Sequence, residues 1–113
     1  MAGARETTDL HTEAKSLHGL GDVCRTTGEV DEAIDRYQQA VDVRRRIGDL
    51  LGLACSLFEG GKLLATVGRT DLAQTALAEA VVIFDNLQDA TADEVRGHLA
   101  EHRGGGTDRP PGG

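Results

Sequence analysis

The sequence predicts an all-α protein, an array of antiparallel helical hairpins with about five helices. Three observations carry that expectation. First, residues 54–93 repeat residues 14–53 in register. A shift of forty positions pairs Ala14/Ala54, Ser16/Ser56, Leu17/Leu57, Gly21/Gly61, Thr26/Thr66, Gly28/Gly68, Asp31/Asp71, Ala33/Ala73, Ala40/Ala80, Val41/Val81 and Asp49/Asp89. Chance would give about three such pairs at ordinary residue frequencies. A period of this size denotes stacked units, each burying its apolar face against a neighbour. Second, apolar residues recur at three- and four-residue spacing throughout. Third, no segment alternates with period two for long enough to make a strand.

The first helix is expected over 9–26, with Leu10, Leu17, Leu20, Val23 and Cys24 on one face. Gly28 follows it and suits the left-handed position after a helix. The second is expected over 30–47 on Val30, Ala33, Ile34, Tyr37, Ala40, Val41 and Ile47. Asp49 then caps a third helix over 50–67, built on Leu50, Leu53, Leu57, Leu64 and Val67. Gly60 and Gly61 lie inside that helix, where each costs about 1 kcal/mol relative to Ala. Gly61 matches Gly21, so close contact with the paired helix explains it. Gly60 stands where Leu20 stands, so either a neighbour fills the gap or the helix is soft there. Gly68 closes this segment, and the fourth helix covers 71–87 on Leu72, Ala73, Ala76, Leu77, Ala80, Val81, Phe84 and Leu87. Asp89 offers a further cap. Thr91-Ala92-Asp93-Glu94 fits a capping box opening a last helix over 91–103. Loops of two to four residues make the neighbours antiparallel.

Composition bounds the rest. The chain has 113 residues, one domain's worth, and its core must come from Leu, Val, Ile and Ala because aromatics are limited to Tyr37, Phe58 and Phe84. Residues 1–8 are expected to be a flexible N-terminus, 9–103 the helical domain, and 104–113, with five Gly and two Pro, a disordered tail. A net charge of −7 opposes nonspecific binding to nucleic acid or anionic lipid. The one basic run, Arg44-Arg45-Arg46, is expected in solvent at the negative end of a helix dipole. No apolar run approaches the roughly 20 residues that span a bilayer, and no hydrophobic signal core opens the chain. A cytoplasmic location follows as the expectation. Cys24 and Cys55 sit nine positions apart in repeat register, roughly 14 Å of axial offset between parallel helices. That is too far for a disulfide, so two free thiols are expected.

The pattern of a large apolar residue, Leu-Gly, and small and aromatic residues on the second helix resembles the tetratricopeptide repeat family. The first copy gives Leu17, Leu20-Gly21, Cys24, Gly28, Ala33, Tyr37 and Ala40. The second gives Leu57, Gly60-Gly61, Leu64, Gly68, Ala73, Leu77 and Ala80. The common unit of that family is 34 residues. The period here is similar to a longer-helix variant found in bacterial regulators and kinesin light chains. The resemblance covers repeats 14–53 and 54–93 and leaves 91–103 as a capping helix without signature residues. It implies a right-handed superhelical stack.

The resemblance also implies a concave groove lined by the first helix of each pair. Its positions here are Lys15, His18, Asp22 and Arg25, then Cys55, Phe58, Lys62 and Ala65. The last helix, continued in phase, adds Val95, His98 and His102. His18, Phe58 and His98 would form one row, and Asp22, Lys62 and His102 another. Lys15, Arg25 and Lys62 would favour the carboxylates of a peptide. Phe58 would be the apolar anchor, so Phe58→Ala should weaken binding without unfolding the chain. The family's carboxylate clamp uses Lys and Asn where His18 and Asp22 stand, so a chaperone-tail receptor of that type is rejected.

No nucleophile elbow, phosphate loop, dinucleotide fingerprint or paired-cysteine motif is present, and no enzyme or cofactor is expected. His98 and His102 share a helix face, but two ligands do not make a metal shell. The expected function is a non-catalytic scaffold binding a protein or peptide segment, acidic in character, in a bacterial regulatory or signalling system. One alternative is a self-association domain that forms a homodimer through its open end faces. The other is a small metal- or ligand-binding bundle.

Overall fold

The computed structural model describes the backbone of residues 2–105 and the side chains of residues 9–101. Five helices follow one another: α1 (Ala2–Thr26), α2 (Val30–Ile47), α3 (Leu50–Thr66), α4 (Thr70–Asn86) and α5 (Thr91–Gly105). No strand occurs among the described residues. The interior boundaries fall within a residue of those expected. The outer ones extend further: α1 opens at Ala2 rather than residue 9, and α5 takes in Gly104 and Gly105. Residues 106–113 of the expected tail lie outside the described residues.

The helix ends follow one plan. Gly28 and Gly68 turn left-handed at φ +87° and +85°. The next amide donates back into the helix, Glu29 N–H to Cys24 O at 2.8 Å and Arg69 N–H to Leu64 O at 2.8 Å. The second helices close the same way through Gly48 (φ +74°) and Gln88 (φ +57°), again forty residues apart. Asp49 Oδ1 accepts from Gly52 N–H at 3.0 Å and caps α3. Asp89 Oδ1 accepts from Thr91 N–H at 2.9 Å, so the cap of α5 is Asp89, two residues before the expected Thr91 box. Hydrogen bonding to Thr91 holds the Asp89 carboxyl below its ordinary pKa.

The hairpins pair as α1 with α2 and α3 with α4, and α2 packs on α3 and α4 on α5. Gly21 and Gly61 occupy equivalent contacts. A Cβ on Gly21 would lie 2.8 Å from the Tyr37 ring, and one on Gly61 would lie 2.9 Å from Leu77 Cδ2. Tyr37 and Leu77 are themselves forty residues apart, so both hairpins close on the same small-against-large contact. Gly60 is explained by the stack: a Cβ there would sit 3.4 Å from Tyr37 Cβ of the preceding hairpin. Leu20, its mate, is 46% exposed.

The largest apolar cluster joins Val41, Leu57, Phe58, Leu77, Phe84 and Val95 across α2, α3, α4 and α5. Two smaller ones follow, one within the first hairpin around Ala14, Leu17 and Val43, and one joining that hairpin to α3 around Cys24, Tyr37 and Leu63. Val95, expected on the groove, is fully buried in the large cluster. The apolar stripe of α5 is Ala92, Val95 and Leu99, and it must face α4. Both cysteines are free thiols.

Candidate functional site

The first helices α1 and α3 meet through polar side chains. Ser56, fully buried on α3, stands between two partners. Arg44 Nη1 donates to its Oγ at 3.1 Å and to Gly52 O at 3.0 Å. On the other side His18 Nδ1 lies 2.9 Å from the same Oγ. A guanidinium only donates, so Ser56 Oγ accepts from Arg44, and the same hydroxyl shares one hydrogen bond with His18 Nδ1. His18 Nε2 lies 3.9 Å from Asp22 Oδ1. Burial lowers the His18 pKa and so favours the uncharged ring, although Asp22 opposes that shift.

Asp22 continues the chain of contacts. Tyr37 Oη donates to Asp22 Oδ1 at 2.5 Å and accepts from Arg25 Nε at 3.2 Å. Arg25 Nη2 also donates to Asp22 at 3.3 Å. Burial, then the bond to Asp22, pushes the Tyr37 pKa up to about 12. The His18 ring meets that of Tyr37 edge-on at 5.1 Å.

Arg44 corrects an expectation. It does not sit in solvent; only 8% of it is exposed. Its place is a core position, because the forty-residue shift sets it opposite Phe84, which is 1% exposed. Arg45 is not solvated alone either, since it forks onto Glu79 of α4 at 2.6 and 3.1 Å. That ion pair raises the Arg45 pKa.

The expected groove residues divide into three groups. Lys15, His18 and Cys55 come together along an open depression of about 440 Å³ between α1 and α3, which His11, Arg44, Asp49, Leu51 and Gly52 complete. Asp22 and Arg25 are engaged with each other and with Tyr37. Phe58 and Lys62 form the third group with His98. The ring of Phe58 meets His98 edge-on at 5.4 Å, and Lys62 Nζ lies 4.3 Å over its centre. Lys62 also pairs with Glu59 at 3.3 Å. Phe58 is 5% exposed and belongs to the main core, so Phe58→Ala would remove a core residue and cost about 3–5 kcal/mol. The test of binding through that change does not hold. The row His18–Phe58–His98 is joined only at its second contact, because His18 turns to Ser56 and Tyr37. The side chain of His102 lies outside the described residues.

Sequence reasoning missed Arg44 and His11 as lining of the depression, and the buried Ser56 and Tyr37 as the partners that hold His18, Asp22 and Arg25. The signal for Arg44 was available in the pairing with Phe84. Ser56 and its mate Ser16 were visible as a repeat identity with no chemistry attached.

Ser56, His18 and Asp22 are the residue types of a hydrolytic triad, but the arrangement cannot act as one. Ser56 has no exposed surface, its oxygen is held by Arg44, and the 3.9 Å between His18 and Asp22 is too long for a hydrogen bond. Among the described residues no three His, Cys, Asp or Glu are grouped to hold a metal. No helix there is long and apolar enough to cross a membrane.

Stacked hairpins with a glycine at each crossing and a polar seam between first helices define a helical-repeat interaction module. The tetratricopeptide repeat family model matches residues 12–86, and the chain belongs to that family. Members of the family generally serve in protein–protein contact rather than catalysis. Comparison with curated proteins and with solved structures gives no match.

Proposed function

We propose that the module holds an acidic peptide segment of a partner protein along the face made by α1, α3 and α5, within a bacterial regulatory or signalling system. The observation that carries this reading is the depression between α1 and α3. It gathers Lys15 and Arg44, two cations, against the single carboxylate of Asp49, with His11 and His18 beside them, on a chain whose net charge is −7. A local cationic patch on an acidic protein selects for anionic partners more sharply than one on a basic protein, where cations are everywhere. The free thiols fit the reducing conditions of a cytoplasm. Lys15, His18, Asp22, Arg25, Cys55, Lys62 and His98 are the contact residues of this reading. Phe58 supports them from beneath.

The test is amide chemical-shift mapping with a panel of acidic, neutral and basic peptides. Acidic peptides should perturb α1, α3 and α5. Perturbations confined to the outer faces of α2 and α4, or stronger binding of basic peptides, would refute the reading.

A second reading, self-association, has one observation in its favour. Leu63 of α3 is buried against the first hairpin, whereas its mate Val23 is 58% exposed beside the exposed Leu20. A second copy could cover them. Sedimentation at micromolar concentration should then show a dimer that Val23→Glu disperses, and a monomer at about 100 μM would end this reading.

A further inference from the structure

We infer that the groove between α2 and α4 docks an amphipathic helix of a partner protein, one that carries a base on one flank and an acid on the other. This surface lies apart from the concave face proposed above, and the two stand or fall separately. The second helices of the two hairpins run parallel and pack on α3 rather than on each other. An open groove of about 410 Å³ is left between them. Ile34 and Val41 of α2 and Leu72 and Ala76 of α4 wall it, and Leu57 and Leu64 of α3 form its floor. Leu72 is 56% exposed. Between the two floor leucines, Gly60 and Gly61 open a recess of about 20 Å³ that Ile34, Val41 and Ala76 also line.

The floor selects a helix. Leu57, the recess and Leu64 follow one another at steps of about one turn, roughly 5 Å. A docked helix offers apolar side chains at that interval, at i, i+3 or i+4, and i+7. An extended segment offers them every 6.7 Å or so, roughly, and falls out of step. The walls select the charges. Arg45 of α2 and Glu79 of α4 close one end with their forked ion pair. Ten residues earlier on each helix, about 15 Å, stand Asp35 and Arg69, which line the groove with the signs exchanged. These two do not meet. Among the described residues Asp35 accepts only a long bond from the Gln39 amide, 3.4 Å, and Arg69 has no ion-pair partner. A base on the α2 side and an acid on the α4 side satisfy both, whereas a helix of uniform charge satisfies one and is repelled by the other.

The experiment uses the full chain with ¹³C-labelled methyl groups. The probe is N-acetyl-Lys-Ala-Glu-Leu-Ala-Ala-Gln-Leu-Ala-Ala-Leu-amide, with its leucines on one helical face and its Lys and Glu on opposite flanks. Three control peptides exchange the Lys with the Glu, replace both with Gln, or replace the leucines with Ser. The methyl resonances of Ile34, Val41, Leu57, Leu64 and Leu72 should shift. One of the two charged peptides, according to its direction in the groove, should bind about fivefold or more tighter than the other and than the Gln form. Leu72→Gln, at an exposed site, should weaken that peptide about fivefold as well and leave the urea midpoint unchanged. Equal binding of the charged and Gln forms, binding that survives the change of leucines to Ser, or no effect of Leu72→Gln would overturn the docking site. Concentration-dependent shifts of the same methyls without peptide would place a second copy there and overturn the partner helix. Shifts around Lys15 and His98 with these methyls unmoved would also overturn it, while leaving the concave-face reading in place.

Discussion

Two glycines forty residues apart set the distance between the helices of each hairpin, and their neighbours decide how strictly. The ring opposite Gly21 is held by Asp22 and Arg25, whereas the Leu77 side chain opposite Gly61 is aliphatic and has no hydrogen bond to hold it. Gly21→Ala should therefore destabilise by about 1–3 kcal/mol and Gly61→Ala by less. A Cβ on Gly97 would meet nothing within 4 Å, so Gly97→Ala should stabilise by up to about 1 kcal/mol. Urea unfolding of the three variants gives the order. Tyr37 is the only tyrosine, and there is no tryptophan, so its ionisation can be followed directly by absorbance. Its folded pKa of about 12 exceeds the unfolded value near 10. The unfolded chain then loses the proton first, so this contribution to stability is complete below about pH 10 and lost as pH rises towards 12. Tyr37→Phe should remove that alkaline slope. His18 works at the other end. Its folded pKa is lowered, the unfolded chain binds the proton more readily, and stability should fall as pH drops through about 6.5. Thermal melts across roughly pH 5–8 check this, with His18→Gln flattening the slope.

At the level of elements, the helix ends were legible in the sequence because Gly28, Gly68, Asp49 and Asp89 mark them with residues of definite conformational use. Gln88 was not legible. It takes the left-handed turn that Gly48 takes forty residues earlier, but with a side chain that resists it. Gln88→Gly should raise the melting temperature by a few degrees, and Gly48→Ala should lower it by a similar amount. The phase of α5 was misread for a related reason. It lacks the signature residues that fix register, so counting in forties placed Val95 outward when its apolar stripe points inward. The basic run was read as a unit, although burial is decided position by position and Arg44 falls on a core position. Phe58 stood at a groove position in the pattern, and the folding of Lys62 and His98 over it could not be read from spacing. The uneven clusters give a further expectation. Helix α1 contributes only to the two small apolar groups, whereas α3 and α4 share the large one with α5. Amide exchange should open α1 before α3 and α4.

For the molecule as a whole, repetition of sequence does not mean repetition of chemistry. The contact surfaces follow the forty-residue register at Gly21/Gly61 and Tyr37/Leu77, yet position 44 holds a guanidinium and position 84 a phenyl ring. That single difference gives the two junctions unlike character. One is a seam of donors and acceptors, Arg44 to Ser56 to His18. The other is hydrocarbon, Phe84 against Ala92 and Val95. A circularly permuted chain that exchanged the two hairpins would set Arg44 against Ala92 and Val95, with no oxygen to receive it. The order of the units is thus written into their edges, and a shuffled version should fail to assemble even though every helix in it is unchanged.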